Sequence, residues 1–312
     1  MKKFLWSLLF LSSSAFSQQD KLITHFMYDK MSINPGATGM SIDNDFGICG
    51  TSIYRNQWDK VNGAPNSAVL NVEGNLSRFF PGGVGISFYH DAIGFARQNN
   101  VLLNYSYPLS IGNIGTLGIG IGVGIMSYGM KPNWVPPTSN PDPSLPTDWS
   151  AVNLDLNFGL YFKGNDYYAG FSSTHLSESV LSGTNNLSEN FQSARHYYLM
   201  GGKNFRDVGG GDVDVQMLLR TDMVKFSADI NARYIYNLSG KDLWGGLTYR
   251  TSDALAIMLG YSPMDQLSVG YSYDITLNKL SSISRGSHEM FVKYCIYIPP
   301  PPLQKTHHPR WL

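Results

Sequence analysis

Apolar and polar positions alternate with a period of two along most of this 312-residue chain, and helical periodicity is nearly absent. Leu117, Ile119, Ile121, Val123 and Ile125 alternate with Gly118, Gly120, Gly122 and Gly124, so one side is apolar and the other carries no side chains. Val152, Leu154, Leu156, Phe158, Leu160 and Phe162 repeat the pattern against Asn153, Asp155, Asn157, Gly159 and Tyr161. So do Phe226, Ala228, Ile230, Ala232, Tyr234 and Tyr236 against Lys225, Ser227, Asp229, Asn231 and Arg233. A soluble sandwich also alternates. Segment length separates the two, because many segments approach the ten or so residues of a tilted membrane strand rather than the ~5–6 of a soluble sheet.

Fourteen such segments are predicted, at about 45–55, 66–76, 83–91, 98–108, 115–128, 151–162, 166–174, 195–205, 212–219, 224–236, 241–250, 254–262, 265–276 and 287–298. The fold class is therefore all-β, a transmembrane antiparallel β-barrel of about 14 strands, and the even count suits an outer-membrane protein. Connection lengths point the same way. With both termini periplasmic, the long connections 56–65, 129–150, 175–194 and 277–286 face outward. The short ones, at Lys163–Asn165, Arg206–Gly211, Asn237–Gly240 and Pro263-Met264, face inward, which is the asymmetry of such barrels.

The start of the chain fits export. Lys2 and Lys3 precede an apolar run from Phe4 to Leu11, and Ala15-Phe16-Ser17 offers small residues around a cleavage point. Residues 1–17 thus read as a secretory signal peptide, too short to span a bilayer. Removing Lys2 and Lys3 from 23 basic residues leaves 21 against 23 acidic, a net charge of about −2. No basic excess exists for neutralising phosphates, so no nucleic-acid partner is expected. Charged residues at 15% are too few, and apolar ones too many, for a disordered chain.

The polar halves of the strands place Arg55, Asn71, Glu73, Asp155, Asp229, Arg233, Asp274, Glu289 and Lys293 in the lumen. Both signs are present, which suits a plugged or internally paired interior rather than an ion filter. Tyr105, Tyr107, Tyr249, Tyr261, Tyr271, Tyr273, Tyr294 and Tyr297 fall near strand ends, where interfacial girdles form. Residues 18–44 do not alternate and contain the turn Asn34-Pro35-Gly36; they read as an N-terminal periplasmic or plug segment, with both chain ends outside the barrel. The barrel spans 45–298. Pro299 to Pro302 then form a stiff spacer to a basic tip ending in Trp311 and Leu312, so 299–312 reads as a periplasmic docking tail. Cys49 and Cys295 lie on the first and last strands; a bridge needs a Cα separation under ~7 Å, and two unpaired thiols are the favoured reading.

A search for chemistry yields no catalytic residue, metal or cofactor. Seven histidines show no metal spacing beyond the weak His307-His308 pair, and HExxH, CxxC and GxSxG are absent. His90-Asp91 with Ser87, and Asp212 with Asp214 beside three glycines, are better read as structural. Candidate partner-binding residues are Arg55, whose guanidinium can fork onto a carboxylate, and the rigid anchors Trp58, Trp134 and Trp149. Pro299, Pro300 and Trp311 join them in the tail.

The segments QQDKLITHFMYDKMSINPGATG (18–39), YRNQWDKVNGAPNSAVLNVEGNL (54–76), GVGISFYHDAIGF (83–95) and HEMFVKYCI (288–296) resemble the PorP/SprF family of outer-membrane proteins of type IX secretion and gliding motility in Bacteroidetes. Lys21 and Gly36 stand where that family usually has a proline and an aromatic residue. The resemblance implies a non-enzymatic barrel in the outer-membrane lipid. Its implied partners are ring-forming or peptidoglycan-linked periplasmic proteins and the C-terminal domain of a secreted cargo or adhesin. A passive or gated channel for a small solute is the alternative. The bare glycine face separates the two, since in a plugged barrel it admits another backbone.

Overall fold

The structure, a computed structural model, describes residues 20–42, 47–132, 148–178, 180–182, 190–297 and 299. Its strands are β1 Gly47–Asn56, β2 Asn66–Asn75, β3 Gly83–Ile93, β4 Ala96–Ile111, β5 Gly115–Met130, β6 Trp149–Lys163, β7 Tyr167–Thr174, β8 Val180–Ser182, β9 Asn190–Gln192, β10 His196–Val208, β11 Gly211–Thr221, β12 Phe226–Leu238, β13 Lys241–Arg250, β14 Ala254–Met264, β15 Leu267–Thr276 and β16 Ser287–Tyr297. Fourteen of them close into one antiparallel barrel, with β7 beside β10 and β16 returning to β1. Each expected segment corresponds to a barrel strand. The main differences are that β4, β5 and β6 run longer, at 16, 16 and 15 residues, and that β8 and β9 form a separate hairpin within the connection after β7. Three-residue strands are too short for alternation to reveal.

Wall side chains sort by parity. Ile119, Ile121, Val123 and Ile125 on β5, and Leu70, Phe88, Leu103, Leu154, Leu247, Leu259 and Val292 elsewhere, are exposed on the outer face, as lipid contact requires. Asn71, Asp155, Asp229, Asn231, Thr248, Asp274 and Glu289 are buried in the interior. Near the end that carries Gly47 and Tyr297, here the terminal end, Tyr107, Tyr234, Tyr236, Tyr261, Tyr294 and Tyr297 are exposed. Tyr54 and Tyr249 are exposed toward the opposite, loop end.

The lumen is filled by the chain's own beginning. Residues 20–42 form a one-turn 3-10 helix Phe26–Tyr28, the short helix α1 Lys30–Ile33 and a second 3-10 turn Pro35–Ala37. Ile23, Phe26, Met27, Ile33 and Ala37 pack with wall residues Ile53, Val69, Tyr161, Met200, Leu218, Trp244, Met258 and Phe291 in one buried cluster. Asp20 lies beside His175 and Tyr198 at the loop end, and Ile42 packs against Cys49 and Cys295 at the terminal end. The segment therefore runs through the barrel antiparallel to β1. The placement of this segment outside the barrel is corrected: its apolar side chains alternate too poorly to make a strand, yet they are numerous enough to make a core.

Cys49 and Cys295 are disulfide-bonded, which corrects the reading of two free thiols. Antiparallel pairing of β1 with β16 sets the two residues directly opposite each other, with a Cα separation of 4.0 Å. An exported chain meets the oxidising conditions in which such a bond persists. It spans 246 residues of sequence and ties the first strand to the last. A double variant Cys49→Ser/Cys295→Ser is expected to form the same closed barrel with about 2–4 kcal/mol less stability. The midpoint of heat-induced unfolding on unboiled, non-reducing gels measures the loss.

Candidate functional site

The plug is held first by charge. Glu289 on β16 accepts the backbone N–H groups of Thr24 and His25 at 2.8 and 2.7 Å, and His25 Nδ1 lies 2.7 Å from the same carboxylate. Arg55 on β1 places Nη1 3.0 Å from Glu289 and Nη2 2.8 Å from Asp274 on β15. Thr24 Oγ1 donates to Asp274 at 2.7 Å and accepts from Arg55 at 2.9 Å. Behind them Arg250 lies 3.0 Å from Asp229, 3.3 Å from Asp253 and 3.7 Å from Asp274, and Arg220 also pairs with Asp229. Three arginines thus face four carboxylates, and the plug's backbone donors supply further partners. Removing an arginine would leave buried carboxylates uncompensated, which costs far more than the intact network gains.

Shape holds the middle of the plug. A Cβ added at Gly120 would come within 2.2 Å of Pro35 and Gly36 backbone atoms, and one at Gly118 within 2.2 Å of the Gly36 carbonyl. On β6, a Cβ at Gly159 would lie 2.0 Å from the Asn34 side chain. The bare face of β5 and its neighbour is therefore the seat of the Asn34-Pro35-Gly36 turn. Asn34 Nδ2 donates to the Leu160 carbonyl at 3.0 Å, and its Oδ1 accepts the Gly36 N–H at 2.9 Å. Ser106 donates to the Gly36 carbonyl and Ser172 to that of Ile33, each at 2.8 Å. Toward the terminal end, Glu73 accepts the Gly39 N–H at 2.7 Å and Lys163 donates to the Met40 carbonyl at 2.8 Å. Tyr28 stacks on Phe291 with centroids 3.9 Å apart, and Lys30 sits 3.7 Å over the Tyr168 ring.

Above the charged clamp, the loop end opens into a cavity of about 360 Å³. Asp20, Trp58, His196, Arg220, Phe226 and Asn278 are among its lining residues. Trp58 is half-buried, adopts φ 51° and donates its backbone N–H to Ser287 at 3.1 Å. Trp149 is half-buried at the loop end of β6, packed against Met126 and 5.5 Å from the Tyr128 ring. Arg55 does not face a partner: it is 1% exposed, and its fork closes on Asp274 and Glu289 of its own chain. The reason is parity, since residue 55 shares the inward side of β1 with Thr51 and Ile53. Pro299 is exposed, and its carbonyl accepts from Arg78 at 3.3 Å. Trp134, Pro300 and Trp311 lie outside the described residues, as does the expected signal peptide at 1–17.

Other sequence candidates resolve into structural pairs. Ser87 donates to Asn71 at 2.6 Å, whereas His90 Nδ1 meets Asn99 at 2.7 Å, so the two do not share a hydrogen bond. Asp214 pairs with Arg233 at 2.6 Å and Asp212 accepts the Asp207 N–H at 3.1 Å. Sequence reading missed Arg220 and Arg250 in the clamp, although both sit at the loop ends of alternating strands. It also missed a cluster of Asp20, His175 and His196 at the loop mouth, whose ligand atoms all lie within 4.8 Å of one another. Burial pushes the His175 imidazole down, but the hydrogen bond and charge of Asp155, with Asp20, outweigh it and leave its pKa raised above the ordinary value.

Residues 15–294 match the family described as type IX secretion system membrane protein PorP/SprF. Curated proteins yield no match. Among solved structures, the chain is similar to the Ralstonia pickettii toluene transporter TbuX. Identity is 12% and the TM-score 0.51, over 87% of this chain and 94% of that one. It is also similar to the CymD monoaromatic hydrocarbon channel, at 10% identity and a TM-score of 0.50 over 87% and 93%. Identities this low speak for the shared barrel architecture alone. Family and fold together locate the chain in an outer membrane.

Two substitutions test how the plug is held. Gly120→Val is expected to unseat the Asn34-Pro35-Gly36 turn at a cost of about 1–3 kcal/mol, seen as new protease cleavage within 20–42 while the barrel stays heat-modifiable. Glu289→Ala leaves two backbone donors of the plug unpaired and takes away one of the two carboxylates of Arg55, and is expected to cost about 3–5 kcal/mol in denaturant titration, with Glu289→Gln costing less.

Proposed function

We infer, for a chain that belongs to the PorP/SprF family of type IX secretion system membrane proteins, that it acts as a non-enzymatic docking barrel. Its loop end receives a secreted cargo domain or adhesin, and its terminal end meets ring-forming or peptidoglycan-linked proteins in the periplasm. The observation that carries this reading is the filled lumen. Residues 20–42 occupy the interior with buried side chains and hydrogen bonds to the wall along their length. A barrel so filled presents its two ends as its working surfaces.

The long connections belong on the outer side of such a barrel, which sets the loop-end cavity and Trp58 toward the cargo. A rigid, half-buried indole beside a partly apolar recess is the kind of anchor that carries interface energy. At the other end the exposed Pro299 begins a segment stiffened by consecutive prolines, which loses little entropy on binding. The filled lumen disfavours a passive or gated channel for a small solute.

Co-purification from native membranes, with full-length protein and a 299–312 deletion compared, tests the reading. The full-length protein should retain both cargo and periplasmic partners, and the deletion should lose the periplasmic set only. Recovery of the same partners by the truncated protein would remove the tail from the docking role. Steady single-channel conductance of the purified full-length protein in a planar bilayer would overturn the docking barrel in favour of the channel.

A further inference from the structure

The loop mouth holds three side chains whose chemistry the docking role leaves unused. His175 is the first residue after β7, His196 is the first of β10, and these strands are neighbours in the wall. Asp20, at the loop-end start of the plug, brings its carboxylate to both, 4.0 Å from His175 Nε2. The candidate ligand atoms of all three residues lie within 4.8 Å of one another.

The remaining hydrogen bonds orient this trio. His175 Nδ1 lies 2.9 Å from the Asp155 carboxylate, and His196 Nδ1 lies 2.9 Å from the Ala194 carbonyl. A carbonyl oxygen only accepts, so His196 carries its proton on Nδ1, which leaves Nε2 as a lone pair. The Asp155 contact favours the same tautomer for a neutral His175. No hydrogen bond to either Nε2 is found among the described residues. Tyr198 donates its hydroxyl to Asp20 Oδ2 and fixes the carboxylate in turn. Imidazoles tied through one nitrogen to a carboxylate or a carbonyl, with the other nitrogen free, are how proteins present histidine to a metal.

Charge and space agree with that chemistry. Asp20 and Asp155 bring two carboxylates to a mostly buried spot, and the neighbouring Lys21 ammonium is engaged 3.0 Å from Asp29. A void of about 20 Å³ touches Asp20 and His175, enough for a single water or ion, and Asp20 and His196 also line the larger loop-end cavity. We propose that Asp20, His175 and His196 form a divalent metal site, with zinc as the cation, that joins the start of the plug to two adjacent wall strands. Two imidazoles and one carboxylate are ligands suited to zinc, with a fourth position left for water. The cation balances the two carboxylates and ties the end of the plug that lies above the charged clamp.

The test uses full-length protein carrying a tag without histidine, purified from outer membranes, stripped with EDTA, incubated with Zn²⁺ and desalted. One zinc per chain is expected by mass spectrometry of the metal. X-ray absorption at the zinc edge should show imidazole scattering and no sulfur. Asp20→Asn, which keeps an acceptor for Tyr198, and His196→Ala should each weaken zinc binding at least tenfold while leaving the heat-modifiable barrel intact. His307→Ala/His308→Ala should bind as the parent does. An unmodified chain without zinc, undiminished zinc in the Asp20 and His196 variants, or loss in the tail variant alone would overturn the site. Should both mouth variants fail to fold, the absorption spectrum of the unmodified chain decides, and absent imidazole scattering overturns the site.

Discussion

Backbone without regular hydrogen bonding survives at membrane depth only where protein supplies partners for its polar groups. Most of this molecule's interior is organised around that requirement. Residues 24–40 form three short turns, too few to satisfy themselves, and the wall answers with specific groups. Glu289 takes two backbone donors, Ser106 and Ser172 supply hydroxyls to carbonyls, and Lys163 and Glu73 close the terminal end. The polar face of the barrel is a template for one particular stretch of its own chain.

Two kinds of complementarity share the work. On the β15–β16–β1 side the match is electrostatic, with Asp274, Glu289 and Arg55 gathered about Thr24 and His25. On the β5–β6 side it is steric, because Gly118, Gly120 and Gly159 bring the wall backbone against the Asn34-Pro35-Gly36 turn. Charged pairs tolerate small displacements along the wall, whereas a backbone-to-backbone seat does not. Together they fix both the position and the register of the plug.

The wall was legible in the sequence, since a period of two marks each strand and long-against-short connections mark the two ends. The bare glycine face was legible too, as a surface that would admit another backbone in a plugged barrel or widen the lumen of a pore. What occupies that face was harder to read, because residues 20–42 carry no period and their partners lie up to 265 positions away. Arg55 illustrates the limit: its type suggested a fork for a carboxylate, and the carboxylates proved to be its own chain's. The disulfide depends on the stagger between β1 and β16, which composition does not encode. Asp20, His175 and His196 have no motif spacing, and they meet only because the plug threads upward to the mouth.

The seam between β1 and β16 has a consequence for how the molecule is made. Arg55 belongs to the first strand and Glu289 to the last, and the cysteine bridge crosses the same junction. Until the last strand arrives, the backbone N–H groups of Thr24 and His25 lack their Glu289 acceptor and Arg55 lacks one of its two carboxylates, so closing the wall also completes the clamp on the plug.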